Sequence, residues 1–116
     1  MWSSFAAAFA GIVRAWRTQN HFRIDCMCAL VVIAAAAMLS FSLWEWLILI
    51  AVVTAMLVLE LINTTVEFLC DLLSPRLSNS VAVIKDVAAA AVLVGALGAT
   101  IVGLILFAPH LAALGP

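Results

Sequence analysis

Four polar side chains, Glu60, Asn63, Glu67 and Asp71, recur at spacings of three, four and four residues. At 100° per residue they fall in a sector about 80° wide, so a helix that carries them has one polar face over three turns. Leu59, Leu61, Ile62, Val66 and Phe68 surround that face with apolar surface. An Asp, Lys or Arg costs a membrane helix about 2.5–3.5 kcal/mol at mid-depth on insertion scales, so ionisable groups retained in such a stretch need a reason. Two carboxylates at two depths suggest two kinds of chemistry. One with little water around it is a stronger proton acceptor, which suits Glu60 to take a proton from a hydroxyl presented from the bilayer. One at the wet boundary, Glu67, is suited to hold Mg²⁺ through hard oxygen ligands, with nucleotide phosphates completing the shell. The competing reading of the same face is a solvated helix end with structural pairing.

The elements that position these residues follow from composition. Of 116 residues, 68% are apolar and 9% charged, which excludes a water-soluble monomer. Five Lys or Arg against six Asp or Glu leave a net charge of -1, with no basic excess to bind nucleic acid. Three cysteines, Cys26, Cys28 and Cys70, form neither a disulfide framework nor a zinc knuckle and read as small apolar residues. Crossing a bilayer takes about 20 residues, and only a helix satisfies its own backbone groups there. Three spans are predicted, at residues 26–44, 46–67 and 85–108, within a single membrane unit covering residues 1–116. Trp44 and Trp46 flank Glu45 in the tight hairpin between the first two spans and suit headgroup depth. With Trp46 at one boundary, Glu60 lies roughly 21 Å along the helix and Glu67 roughly 31 Å, against a hydrocarbon thickness of about 30 Å.

Arg14, Arg17, Arg23, Arg76 and Lys85 all fall on one side of this arrangement, which the positive-inside rule makes cytoplasmic. The hairpin at Glu45 and the tail from Pro109 then face away from the cytoplasm. Residues 1–21 are expected to form an interfacial helix and not a signal peptide, because no basic stretch precedes their apolar part and the arginines follow it. On a helical wheel Trp2, Phe5, Phe9, Ile12, Val13 and Trp16 share one side, the pattern of a surface helix in the headgroup layer. Packing on the spans as core is the alternative. In the third span Ala91, Gly95, Ala99 and Gly103 form a small-residue ridge that admits another helix closely. Three spans in so small a chain enclose no sheltered polar site alone, so a homo-oligomer is expected.

Lys85 and Asp86 open the third span on the acidic side. Lys85 is either a neutralising partner for the acids or a point charge for phosphate. His21 stands four residues before Asp25, and Arg23 reads as a headgroup anchor. Two other functions fit the residues taken alone. A proton-coupled transporter would cycle protons on Glu60, with Glu67 or Asp71 meeting a cationic solute, but it leaves Lys85 and Asp86 idle. A membrane assembly protein would use the small-residue ridge and leave the acids unexplained.

The chain resembles the small prokaryotic lipid kinases, the diacylglycerol kinase and undecaprenol kinase family. The likeness runs from Gly11-Ile12 and Ala15-Trp16-Arg17-Thr18 through Phe22-Arg23-Ile24 to the signature Glu60-Leu61-Ile62-Asn63-Thr64-Thr65-Val66-Glu67 with Asp71, then Lys85-Asp86-Val87-Ala88. It implies an all-α integral membrane fold, a homotrimer of chains each with an N-terminal amphipathic surface helix and three transmembrane helices, and active sites shared between subunits. It also implies transfer of the γ-phosphoryl group of Mg-ATP to a lipid alcohol, diacylglycerol or undecaprenol, at the cytoplasmic face of a bacterial inner membrane. By position, Glu60 matches the family's base and Glu67 its metal-binding carboxylate. Asn63, Lys85 and Asp86 match residues lining the nucleotide and phosphate site, and Arg17 and Gln19 fall at its nucleotide-facing positions. Asp71 matches a further acid. Gln19 stands where the family usually carries a metal-holding glutamate, and an amide binds Mg²⁺ more weakly; Asp25 or His21 is then the candidate to compensate. No Walker A loop is present, so phosphates must be held by metal, Lys85 and backbone donors.

Overall fold

A computed structural model describes residues 1–74 and 78–115. Four helices follow one another: α1 (Trp2–Thr18), α2 (Asn20–Met38), α3 (Leu43–Leu73) and α4 (Ser78–Ala113). The last three are long and apolar enough to cross a membrane. Arg76, one of the five positive charges used above for orientation, lies outside the described residues.

Each break between helices has a local cause. Gln19 adopts an extended conformation between α1 and α2, with φ -119° and ψ 110°, so the surface helix stops at Thr18 and α2 begins six residues before the uncharged stretch. At the far end of α2, Ser40 takes a left-handed φ of 57°, and the Phe41 N–H donates to the Ala36 carbonyl at 3.3 Å. That pairing is a Schellman closure, which reverses the chain in a few residues. Helix α3 then opens with a capping box: the Glu45 N–H donates to Ser42 Oγ at 3.3 Å and the Ser42 N–H to Glu45 Oε1 at 3.0 Å. It ends at Leu73, where Ser74 turns extended ahead of a proline.

Helix α4 runs through Pro109 to Ala113, five residues past the point where the sequence suggests a tail. Proline leaves one carbonyl a turn earlier without its usual partner, and the last turns are held instead by contacts with the α2–α3 hairpin. The tightest core lies there: Ala36, Phe41, Leu49 and Leu106 are buried together, with Trp46 and Phe107 packed against them. Gly95 marks the closest approach of α4 to α3, since a Cβ there would stand 2.6 Å from Leu59 Cδ1 and 3.2 Å from Met56 Sδ. Gly103, on the same ridge, has nothing within 4 Å and lines a cleft between α2, α3 and α4. The ridge therefore divides between a close helix contact and a cleft wall. Cys70 is buried against the start of α4, its Sγ 3.9 Å from the Val81 carbonyl oxygen.

Helix α1 turns its small side inward. Ala15 is buried, and Ala8 and Gly11 face Leu61, Thr64 and Phe68 of α3. Its bulky side looks away from the bundle, with Trp2 88% exposed and Phe5 and Phe9 nearly as open. Of the two readings of this helix, the outward apolar face supports contact with lipid over burial in the chain's own core. Thr64, Thr65 and Thr100 donate their hydroxyls to carbonyls four residues back, at 2.7 to 3.0 Å, which pairs these polar groups within their own helices.

Candidate functional site

Helix α3 is continuous through Glu60, Asn63, Glu67 and Asp71, so the polar face expected from spacing exists as one stripe. Its members look toward different neighbours. Glu60 is buried, 7% exposed, and its side chain lies close to Asp25 of α2, with Glu67 near enough to act on it by charge. One turn further along, Asn63 Nδ2 donates to Glu67 Oε1 at 3.3 Å, with both side chains half-buried. Another turn on, Lys85 Nζ of α4 reaches Asp71 Oδ1 at 3.1 Å, both well exposed. Asp86 is exposed beside Lys85, Arg17 is exposed near the end of α1, and Gln19 is half-buried at the α1–α2 break.

The structure thus sets Asp25 of α2 beside the Glu60, Asn63 and Glu67 stripe of α3, with Asp71 and Lys85 at its outer rim. Of the two roles open to Lys85 from sequence, the neutralising one is realised within the chain, with Asp71 as partner. Asp25 is the member that spacing alone could not place. It belongs to a different helix, where it is the last charged residue before a long uncharged run.

Asp25 also lines a cleft of about 380 Å³ between α2, α3 and α4, together with apolar groups such as Val32, Val53, Met56 and Phe107. A second, shallower hollow of about 420 Å³ between α3 and α4 takes Asn63 as its polar member. Glu67, with Asn63 beside it, fits Mg²⁺ in the manner usual for nucleotide enzymes, where one or two carboxylates suffice and phosphate and water fill the remaining positions. Among the described residues, no group of three Asp, Glu, His or Cys gathers closely enough to form an all-protein cage.

Residues 6–107 match the family described as prokaryotic diacylglycerol kinase. The chain is 34% identical over 108 residues to the undecaprenol kinase of Bacillus subtilis, covering 93% of this chain and 88% of that one. It is 38% identical over 112 residues to the diacylglycerol kinase of Synechocystis sp., covering 96% of this chain and 64% of that protein, so it spans under two thirds of that relative's length. Both relatives carry kinase names, which decides between the kinase and the transporter left open by the residues alone. A match over nearly the whole sequence, on a fold with three membrane-length helices and one acidic stripe, places the chain in the prokaryotic diacylglycerol kinase family.

Proposed function

We infer that this membrane lipid kinase transfers the γ-phosphoryl group of Mg-ATP to the hydroxyl of a lipid alcohol, diacylglycerol or undecaprenol. The observation that carries the reading is the depth ordering of its acids: Glu60 buried at membrane depth beside Asp25, and the Asn63–Glu67 pair one turn nearer the water. That order suits a reaction whose acceptor arrives from lipid and whose donor arrives from water.

In this scheme the lipid hydroxyl meets Glu60, which accepts its proton as the oxygen bonds to the γ-phosphorus and the bond to the bridging oxygen of ADP breaks. The proton passes from Glu60 to water or product before the next turnover. Asp25 holds the Glu60 carboxyl in place, and the lipid tail lies along the apolar cleft that begins at Asp25. Glu67 and Gln19 would hold Mg²⁺, which when bound neutralises charge on the phosphates. Asn63, Lys85, Asp86 and Arg17 line the nucleotide, with Lys85 leaving Asp71 to meet phosphate. The working form is a homotrimer with sites completed between subunits; the outward apolar side chains of the spans support this assembly. The nucleotide side is cytoplasmic, in the inner membrane of a bacterium, because Arg14, Arg17, Arg23 and Lys85 lie toward it.

The test is a phosphoryl-transfer assay on purified protein in bilayers with labelled ATP, offering diacylglycerol and undecaprenol separately. Label appearing in one lipid, dependent on Mg²⁺, is the expected result. ATP-independent, pH-gradient-driven uptake of a solute with no labelled lipid would overturn it.

A further inference from the structure

The half of the molecule at the α2–α3 hairpin holds only two titratable side chains. From Ala29 to Leu59 the sole Asp, Glu, His, Cys, Lys, Arg or Tyr is Glu45, and after Asp86 the sole one is His110. Sixty-five residues apart, they are bonded to each other: His110 Nε2 stands 2.7 Å from Glu45 Oε2. Both are only about a quarter exposed. The other Glu45 oxygen accepts from the Ser42 N–H, so the carboxylate is fixed by the start of its own helix. Phe41 covers the imidazole, stacked at 4.7 Å and 25°. Phe41 also packs at 4.8 Å on Phe107, which lines the cleft between α2, α3 and α4.

This geometry joins the first turn of α3 to the last turns of α4 through one contact whose charge depends on a proton. Histidine ordinarily changes charge between about pH 5 and 8. The contact is an ion pair when His110 is protonated and a neutral hydrogen bond otherwise. Among the described residues no other titratable side chain faces it: α2 contributes none at this end, α3 only Glu45, and α4 only His110. We propose that Glu45 and His110 form a proton-sensitive clasp that closes the hairpin end of the bundle, tightening when His110 is protonated and loosening when it is not. The pH of the compartment bathing the hairpin thereby acts on the packing of Phe41 and Phe107 at the far end of the cleft, independently of the acids at the kinase site. The sign follows from the charges: a protonated imidazole beside the Glu45 carboxylate is an ion pair and a neutral one is not, so the contact is the stronger at low pH as long as Glu45 stays ionised.

The experiment compares thermal midpoints of the full-length protein in detergent at about pH 6 and about pH 8. His110→Gln keeps a hydrogen-bonding side chain that cannot gain charge. Glu45→Gln keeps the capping box but not the carboxylate charge. Protonation at His21 and at the kinase-site acids is common to all variants and cancels in the comparison. In the wild type, the midpoint at the lower pH relative to the higher should exceed the same difference in either variant by about 4 °C, and the double variant should lose no more than each single one. Should one variant fail to fold, the other decides alone, because each removes one side of the ion pair. An unchanged pH difference in either folded variant overturns the clasp.

Discussion

Lys85 Nζ stands 3.1 Å from Asp71 Oδ1, joining the last turns of α3 to the early turns of α4, and among the described residues it makes no ion pair with Glu60 or Glu67. Both partners are open to water, Lys85 at 43% and Asp71 at 67%, and such pairs contribute about 0–1 kcal/mol. An ammonium held so weakly is free to move to a phosphate. Lys85→Met is therefore expected to abolish lipid-driven ATP consumption while shifting the thermal midpoint by less than about 3 °C, and Asp71→Asn to leave the midpoint unchanged. A large loss of stability in Asp71→Asn would make the pair a fastening of the fold.

The two glutamates of the stripe should fail in different ways. Glu60→Gln keeps the shape of the side chain and the contact with Asp25 but cannot accept a proton. It is expected to cut turnover by about 10²–10⁴-fold, the usual contribution of a positioned base, with Mg-ATP binding and the midpoint near wild type. Glu67→Gln should raise the Mg²⁺ concentration needed for half-maximal rate and leave lipid affinity alone. Steady-state rates titrated separately in Mg²⁺, ATP and lipid distinguish the two, and matching titration curves would remove the division of labour.

Gln19 occupies the break between α1 and α2 and is proposed to share Mg²⁺ with Glu67, a role in which a carboxylate would bind a divalent cation more tightly than an amide. Gln19→Glu is expected to lower the Mg²⁺ requirement without changing the midpoint. Asp25→Asn serves as the contrast: it disturbs the partner of Glu60 and should lower the rate at saturating Mg²⁺ instead. If Asp25→Asn moved the Mg²⁺ requirement while Gln19→Glu did not, Asp25 would be the compensating metal ligand.

Much of this was legible in the sequence, for physical reasons that differ by element. The three spans follow from long uncharged runs, and the stripe on α3 follows from spacing, because a helix turns by a fixed angle per residue. The surface helix was recoverable from its bulky side, although which way that side faces needed coordinates. The pairings between helices were not recoverable. Asp25 with Glu60, Asp71 with Lys85 and Glu45 with His110 each depend on how one helix is set against another, and sequence spacing carries no such information. Pro109 argued for a helix end at Ala108. The helix continues because its final turns pack on Phe41 and pair with Glu45.

The hairpin offers a test of backbone strain. Ser40 holds a φ of 57°, a region where a side chain is disfavoured and glycine is not. Ser40 donates and accepts none of the side-chain hydrogen bonds that fix the neighbouring Ser42. Ser40→Gly is therefore expected to raise the midpoint by a few degrees, corresponding to about 0.5–1 kcal/mol. A fall would mean that the greater freedom of glycine in the unfolded chain outweighs the relieved strain.

The two glycines of the α4 ridge separate folding from lipid binding. Any side chain at Gly95 meets Leu59 and Met56 of the same chain; a single methyl needs only the tips of those side chains to yield, but a branched one must push the helices apart. Gly95→Val is expected to lower the thermal midpoint by an amount typical of overpacking, about 1–3 kcal/mol. Gly103 has nothing within 4 Å and lines the cleft between α2, α3 and α4, so Gly103→Val should leave the helices in place and narrow the cleft. The expected result is a midpoint near wild type with a raised lipid concentration for half-maximal rate. A Gly103→Val protein with unchanged lipid dependence would place the lipid tail elsewhere, and a Gly95→Val protein as stable as wild type would remove the close α3–α4 approach as a determinant of the fold.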